Sequence, residues 1–190
     1  MSGTCVLIDG VHRAPSDREH PDGMRSRYPK PDPVRPGQES VWDYPRPPRV
    51  ESSTEAVEIV LGGQVVARSN RSLRVLETSH PPVYYLPADD FVEGSLRPAP
   101  GASWCEYKGE AGYVDVVAGD RVAAGAGWTY PDPSRGFEQL RGHIAVYPGK
   151  MDQVTVAGET VRPQAGGFYG GWITDHVVGP FKGEPGTMGW

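Results

Sequence analysis

Cysteine is nearly absent: Cys5 and Cys105 are the two thiols in 190 residues, too few for a disulfide framework or a four-thiolate zinc site. Leucine and isoleucine are also scarce, with seven Leu and four Ile against 22 Val. That ratio withholds the material of amphipathic helices and supplies β-branched side chains that suit a pleated strand. Excess charge of one sign is missing too. Nineteen Lys and Arg against 24 Asp and Glu leave a net charge of −5, which provides no field to draw in a phosphate backbone and argues against nucleic-acid binding. No apolar run approaches the roughly 20 residues needed to span a bilayer, and the stretch 1–10 lacks the basic and apolar regions of a secretory signal. These absences predict a reduced, cytoplasmic protein with neither nucleic acid nor membrane as partner.

What the chain has in abundance is glycine and proline, 25 and 20 residues, about twice the average share. Nine of the prolines fall in residues 1–49, several in the run Tyr28-Pro29-Lys30-Pro31-Asp32-Pro33. Such a segment cannot bury enough apolar surface to offset its ordering entropy, so much of it is expected to be disordered or polyproline-like. Its end, Val41-Trp42-Asp43-Tyr44-Pro45-Arg46-Pro47-Pro48-Arg49, carries two large aromatics and reads as a strap on the domain surface or a ligand-gating arm.

From residue 50 the pattern becomes short alternating runs. Ala56-Val57-Glu58-Ile59-Val60 and Val65-Val66-Ala67 flank Gly62-Gly63 as a hairpin. Ser72-Leu73-Arg74-Val75-Leu76-Glu77 and Val83-Tyr84-Tyr85-Leu86 read as further strands. So do Tyr113-Val114-Asp115-Val116-Val117 and Arg121-Val122-Ala123 around Gly119-Asp120, then Ile144-Ala145-Val146 and Val154-Thr155-Val156. Spacing of this kind predicts a small all-β sandwich or barrel of short antiparallel strands. The helical candidates are a turn at Pro87-Ala88-Asp89-Asp90-Phe91-Val92, with Pro87 placed for a first helical position, and a second stretch over 133–140. The expected organisation is a Pro-rich extension over 1–49, an all-β core over 50–162, and a Gly/aromatic tail over 163–190. Because the tail keeps Phe168, Tyr169, Trp172, Phe181 and Trp190, it is expected to pack on the core or on a second subunit of a homodimer.

Two segments, Glu77-Thr78-Ser79-His80-Pro81-Pro82-Val83-Tyr84-Tyr85-Leu86-Pro87 and Cys105-Glu106-Tyr107-Lys108-Gly109-Glu110-Ala111-Gly112-Tyr113, carry a family resemblance. Together with Gly127-Trp128-Thr129-Tyr130-Pro131-Asp132-Pro133 and His143-Ile144-Ala145-Val146-Tyr147, they resemble the bacterial and fungal family known as domain of unknown function 427, also labelled a nucleotidyltransferase. The likeness spans roughly residues 57–156, with flanks similar to the longer actinobacterial members. It implies a β-tent-like (Mss4-like) fold. The paired CxxC that holds zinc in many β-tent proteins has no counterpart here, so no metal and no cofactor is expected. Where the family has Cys-Pro-aromatic-Lys, this chain has Cys105-Glu106-Tyr107-Lys108. A transferase would place a Gly-Ser turn before paired Asp residues that hold Mg²⁺. The lone Asp pair, Asp89-Asp90, lacks such a turn, so nucleotidyl transfer is not the activity expected.

Several side chains are candidates for chemistry. A lysine three residues from Cys105 would lower its thiol pKa and make it a nucleophile, whereas a buried structural thiol is inert. Lys108 reads as a salt-bridge partner or as an anion-binding group. Glu77 follows Leu73 and Val75 on one strand face, which places a carboxylate among apolar groups. It then needs a counter-ion, expected in Lys108 or Arg74, and would otherwise serve as base or ligand anchor. His80, held extended by Pro81, is a hydrogen-bonded loop residue or a proton shuttle. Tyr84, Trp128 and Tyr130 are expected to line an aromatic pocket. The expected function is small-molecule binding, or an unassigned small-molecule enzyme with Glu77, Lys108 and Cys105 as its catalytic groups and His80, Tyr84, Trp128 and Tyr130 around the ligand. The alternative is a non-catalytic interaction module that uses the aromatic tail. The grouping of these residues in one site is what the resemblance implies.

Overall fold

A computed structural model describes residues 28–187 and 189–190. The expectation of disorder for the first part of the Pro-rich extension, and Cys5 with it, lies outside the described residues. Two strands precede the alternating region, β1 (Glu39–Ser40) and β2 (Arg49–Ser53). The predicted hairpin is β3 (Val57–Leu61) and β4 (Gln64–Ser69), joined through Gly62 and Gly63 at φ of 59° and 70°. Positive φ at both central residues is what a two-residue hairpin turn requires. There follow β5 (Ser72–Leu76), β6 (Val83–Pro87), β7 (Leu96–Cys105), β8 (Gly109–Ala118), β9 (Arg121–Thr129) and β10 (His143–Val146). The remainder are β11 (Gln153–Val156), β12 (Glu159–Thr160), β13 (Arg162–Pro163), β14 (Trp172–Ile173) and β15 (Val177–Val178). Helical structure among the described residues is confined to three single 3-10 turns, two of them at Ala88–Asp90 and Glu138–Leu140 where the sequence placed its helical candidates. No helix there is long and apolar enough to cross a membrane.

The protein is thus all-β, as its composition predicts, and no sheet closes into a barrel. Seven strands run in the order β2-β5-β6-β10-β9-β8-β7, and four more in the order β12-β11-β3-β4. The two sheets share one core. Val57, Ile59, Leu61, Val154 and Val156 of the smaller sheet cluster with Leu86, Val116, Ala126, Ile144 and Val146 of the larger one. Alternation sends the intervening residues Tyr85, Ala111, Trp128 and Ala145, with Leu73 and Val75, to the opposite face, where Phe137 and Leu140 join them. This second face carries the site described below.

β7 was not foreseen. Its run Leu96-Arg97-Pro98-Ala99-Pro100-Gly101 reads as loop, yet it pairs with β8 over most of its length, with an irregularity between Ala99 and Ala102. It is the edge strand of the large sheet, the position where a proline's missing N–H costs no ladder bond. Trp104 on this edge is 75% exposed.

The described parts of the two extensions pack on the core and on each other. β1 pairs in parallel with β15, and Val41, Tyr44, Leu76 and Val177 form a small cluster of their own. Trp172 is fully buried in the main core, where it stacks on Tyr84 at 5.1 Å and its Nε1 donates to the Val146 carbonyl. The tail therefore lies on its own chain's core.

Candidate functional site

On the second face of the seven-stranded sheet lies a cavity of about 480 Å³, within the ~300–1,000 Å³ usual for small-molecule sites. Four parts of the chain build it. The sheet contributes Val75, Tyr85, Trp128 and Tyr130; the turn between β7 and β8 contributes Cys105, Tyr107 and Lys108; the loop after β5 contributes Glu77 and His80. The tail adds Gln164, Tyr169, Gly170 and Lys182. Of the seven residues singled out from the sequence, six line this cavity: Glu77, His80, Cys105, Lys108, Trp128 and Tyr130.

Tyr84 is the exception. It faces the other way, into the core between the sheets, and its hydroxyl donates to Glu55 Oε2 at 2.8 Å. Adjacent strand residues point to opposite faces, so Tyr85 takes the place expected of Tyr84. The same alternation corrects the expected counter-ions of Glu77. Arg74 is on the face opposite Glu77 and pairs with Glu39 and Glu51. Lys108 shares the cavity with Glu77, but no ion pair joins them. The partner of Glu77 is Arg46, from the N-terminal strap, at 3.5 Å.

Aromatic groups dominate the walls. Trp128 Nε1 donates to the Tyr85 hydroxyl at 3.0 Å, and the Trp128 ring lies 4.6 Å from that of Tyr147. Burial pushes the Tyr85 phenol up from its ordinary value. Burial also raises that of Tyr130, and neighbouring Tyr85 and Cys105 push it the same way. Both remain protonated at neutral pH. Cys105 is a free, half-buried thiol. Gly170 passes so close over Trp128 that any Cβ there would fall inside the indole ring.

His80 is held with unusual definition. Gln164 Oε1 accepts the Gly171 N–H, which turns the Gln164 amide nitrogen toward His80 Nδ1 at 3.1 Å and the Lys182 carbonyl at 2.7 Å. Nδ1 is therefore an acceptor, and in the neutral ring the proton sits on Nε2. Burial, followed by the positive charges of Lys182, Arg46 and Lys108, pushes its pKa down to about 3. A histidine in that state offers a neutral N–H and does not shuttle protons at neutral pH. The loop bearing it is fixed from both sides: Ser79, at φ 71°, donates its N–H to Val41 and accepts from Lys182 N–H.

The sequence reasoning missed Gln164 and Lys182, which reach the cavity from the tail, and Arg46, which reaches Glu77 from the strap. A signal existed for the strap and the tail as packed aromatic segments, but none for these individual side chains. Among the described residues no cluster of three or more His, Cys, Asp or Glu is placed to hold a metal ion. Asp90 is engaged with Arg71, and neither Asp89 nor Asp90 lines the aromatic cavity.

A search of curated proteins found no match. A scan against protein families matches residues 49–157, which takes in Glu77, His80, Cys105, Lys108, Trp128 and Tyr130 and leaves Arg46 and the tail outside. Since more than half of the 190 residues are matched, the chain belongs to the family described as domain of unknown function DUF427.

Proposed function

We propose that this is a cytoplasmic protein that binds a small molecule in the aromatic cavity. The observation that carries the reading is the cavity's construction. A hollow of about 480 Å³ walled by Tyr85, Trp128, Tyr130 and Tyr147 is completed by side chains from three separate parts of the chain. A sheet face that needed only burial would be filled by side chains at interior packing density. The polar groups are few and convergent, the pattern of sites that orient a small ligand.

A catalytic role would have to be built from Glu77, Cys105 and Lys108. Glu77 is occupied by Arg46, so the buried Glu/Lys pair expected from the sequence does not support such chemistry, and binding is the better reading. The rival, a protein-docking tail, is weakened because Trp172 is buried in the main core and Tyr169 packs on His80 at 4.7 Å. Phe168, 73% exposed, is what remains in its favour.

The test pairs a thermal-melting screen against a metabolite panel with thiol protection. In a Cys5→Ser variant, compounds that raise the melting temperature should slow alkylation of Cys105 by iodoacetamide. Stabilising compounds that leave Cys105 equally reactive would place the ligand elsewhere and end this reading.

A further inference from the structure

We propose that the cavity takes a planar aromatic carboxylate, with the Lys108 ammonium as its counter-ion and the His80 Nε2–H as a second donor. The proposal rests on the reading of the cavity as a small-molecule site and adds the chemical class of the ligand.

Lys108 is 8% exposed and lines the cavity from the turn between β7 and β8. Its backbone is anchored, because the Lys108 carbonyl accepts the Ser134 N–H at 3.0 Å. Its ammonium is not. Among the described residues no carboxylate pairs with it and no acceptor takes a hydrogen bond from it. The nearest recorded contact is the Tyr130 ring, 6.0 Å from Nζ to the centroid, at the outer limit of a cation–π interaction. The ammonium faces the cavity, and an anion entering there meets it in surroundings of lower dielectric than bulk water, where the attraction is stronger. An ammonium in the cavity that no protein carboxylate neutralises therefore selects a negatively charged guest over its neutral analogue.

The rest of the cavity narrows the class. His80 Nδ1 is occupied by Gln164 and its Nε2–H has no hydrogen-bond acceptor among the described residues, so it supplies one further donor without a second charge. The competing cations are committed: Arg46 to Glu77 and to the Thr78 carbonyl, Lys182 Nζ to the Trp190 carbonyl. Among the described residues no guanidinium fork lines the site, and phosphate recognition ordinarily draws on such forks or on several backbone N–H groups. One ammonium and one imidazole N–H match the two oxygens of a carboxylate. Tyr85, Trp128 and Tyr147 provide flat apolar surface for an aromatic body.

The probes are 2-naphthoate, its neutral isostere 2-naphthamide, and 2-naphthyl phosphate, titrated by calorimetry into the full-length protein and into Lys108→Met. The wild type is expected to bind the carboxylate at least tenfold more tightly than the amide, and Lys108→Met to lose that preference. The wild-type comparison stands without the variant, whatever the variant's stability. Equal affinity for acid and amide would overturn the assignment of charge while leaving the cavity a binding site. So would a preference that survives in Lys108→Met. Tighter binding of the phosphate would overturn the carboxylate class. Binding of none of the three, with no metabolite protecting Cys105, would overturn both readings.

Discussion

Arg46 and Glu77 meet at 3.5 Å, and this contact ties the strap that precedes the family domain to the rim of its cavity. Arg46 also donates to the Thr78 carbonyl at 2.9 Å, so one guanidinium fixes two consecutive residues of the loop that presents His80. Both side chains are partly exposed, which limits the pair to about 1 kcal/mol or less. Arg46→Ala should lower stability by roughly that amount in urea unfolding at low salt. Most of the difference should vanish in 1 M NaCl, where charges are screened within ~3 Å. A salt-insensitive loss would assign the effect to the Thr78 hydrogen bond instead.

His80 makes stability depend on pH in a definite direction. Its folded-state pKa is lowered to about 3, against roughly 6.5 in an unfolded chain. Below pH 6.5 the unfolded state takes up a proton that the folded state refuses, so stability falls as pH drops from about 6.5 toward 3. The limiting slope for one proton is about 1.4 kcal/mol per pH unit. His80→Gln has no such proton to take up, and its side-chain carbonyl accepts from Gln164 in place of Nδ1. The gap between wild type and variant should therefore shift in the variant's favour between pH 6 and pH 4, measured by urea unfolding at each pH. Parallel curves for the two proteins would show that His80 is not held neutral.

Much of the fold is legible because its signals are local. The strands from Val57 to Val156 announce themselves by alternation and by Gly turns such as Gly62-Gly63, whose two positive φ values only glycine adopts without strain. β7 hid behind Pro98, Pro100 and Gly101, which are tolerated because it is an edge. β1 and β15 are two residues each and exist through pairing with one another across most of the chain, and β13 and β14 are as short, so none of the four leaves a periodic trace. The site divides in the same way. Glu77, His80, Cys105 and Lys108 sit in compact motifs, whereas Arg46, Gln164 and Lys182 arrive by long-range docking. Tyr84 was read one residue out of phase, since two adjacent tyrosines in a strand carry no local mark of which one faces the cavity.

Gly170 sets how closely the tail covers the cavity. A Cβ at this position would overlap the Trp128 ring, and the adjacent Gly171 is pressed in the same way against Gln164 and Pro81. Gly170→Ala must displace either the indole or the tail, at a cost of about 1–3 kcal/mol for overpacking. The tail is the more movable, so the variant should show faster proteolysis between residues 165 and 170 and a changed tryptophan emission, with the melting temperature lowered modestly. Unaltered proteolysis and emission would mean that the tail does not lie over Trp128 in solution.

Trp172 tests whether the tail is an appendage or part of the core. It lies outside the family match of residues 49–157, yet it is fully buried, stacks on Tyr84, and donates to Val146 of the central strand β10. Its backbone N–H also donates to the Pro82 carbonyl, just before β6. Trp172→Ala removes a large buried aromatic and leaves the Val146 carbonyl without that donor, for an expected loss of about 3–5 kcal/mol. That is a large part of the 5–15 kcal/mol typical of a whole domain. Trp172→Phe keeps most of the ring and should recover a substantial part of the loss, which separates packing from the indole hydrogen bond. Calorimetric melting of the three proteins decides the matter: if Trp172→Ala melts within a few degrees of wild type, residues 49–157 carry a sufficient core and the tail is dispensable to it.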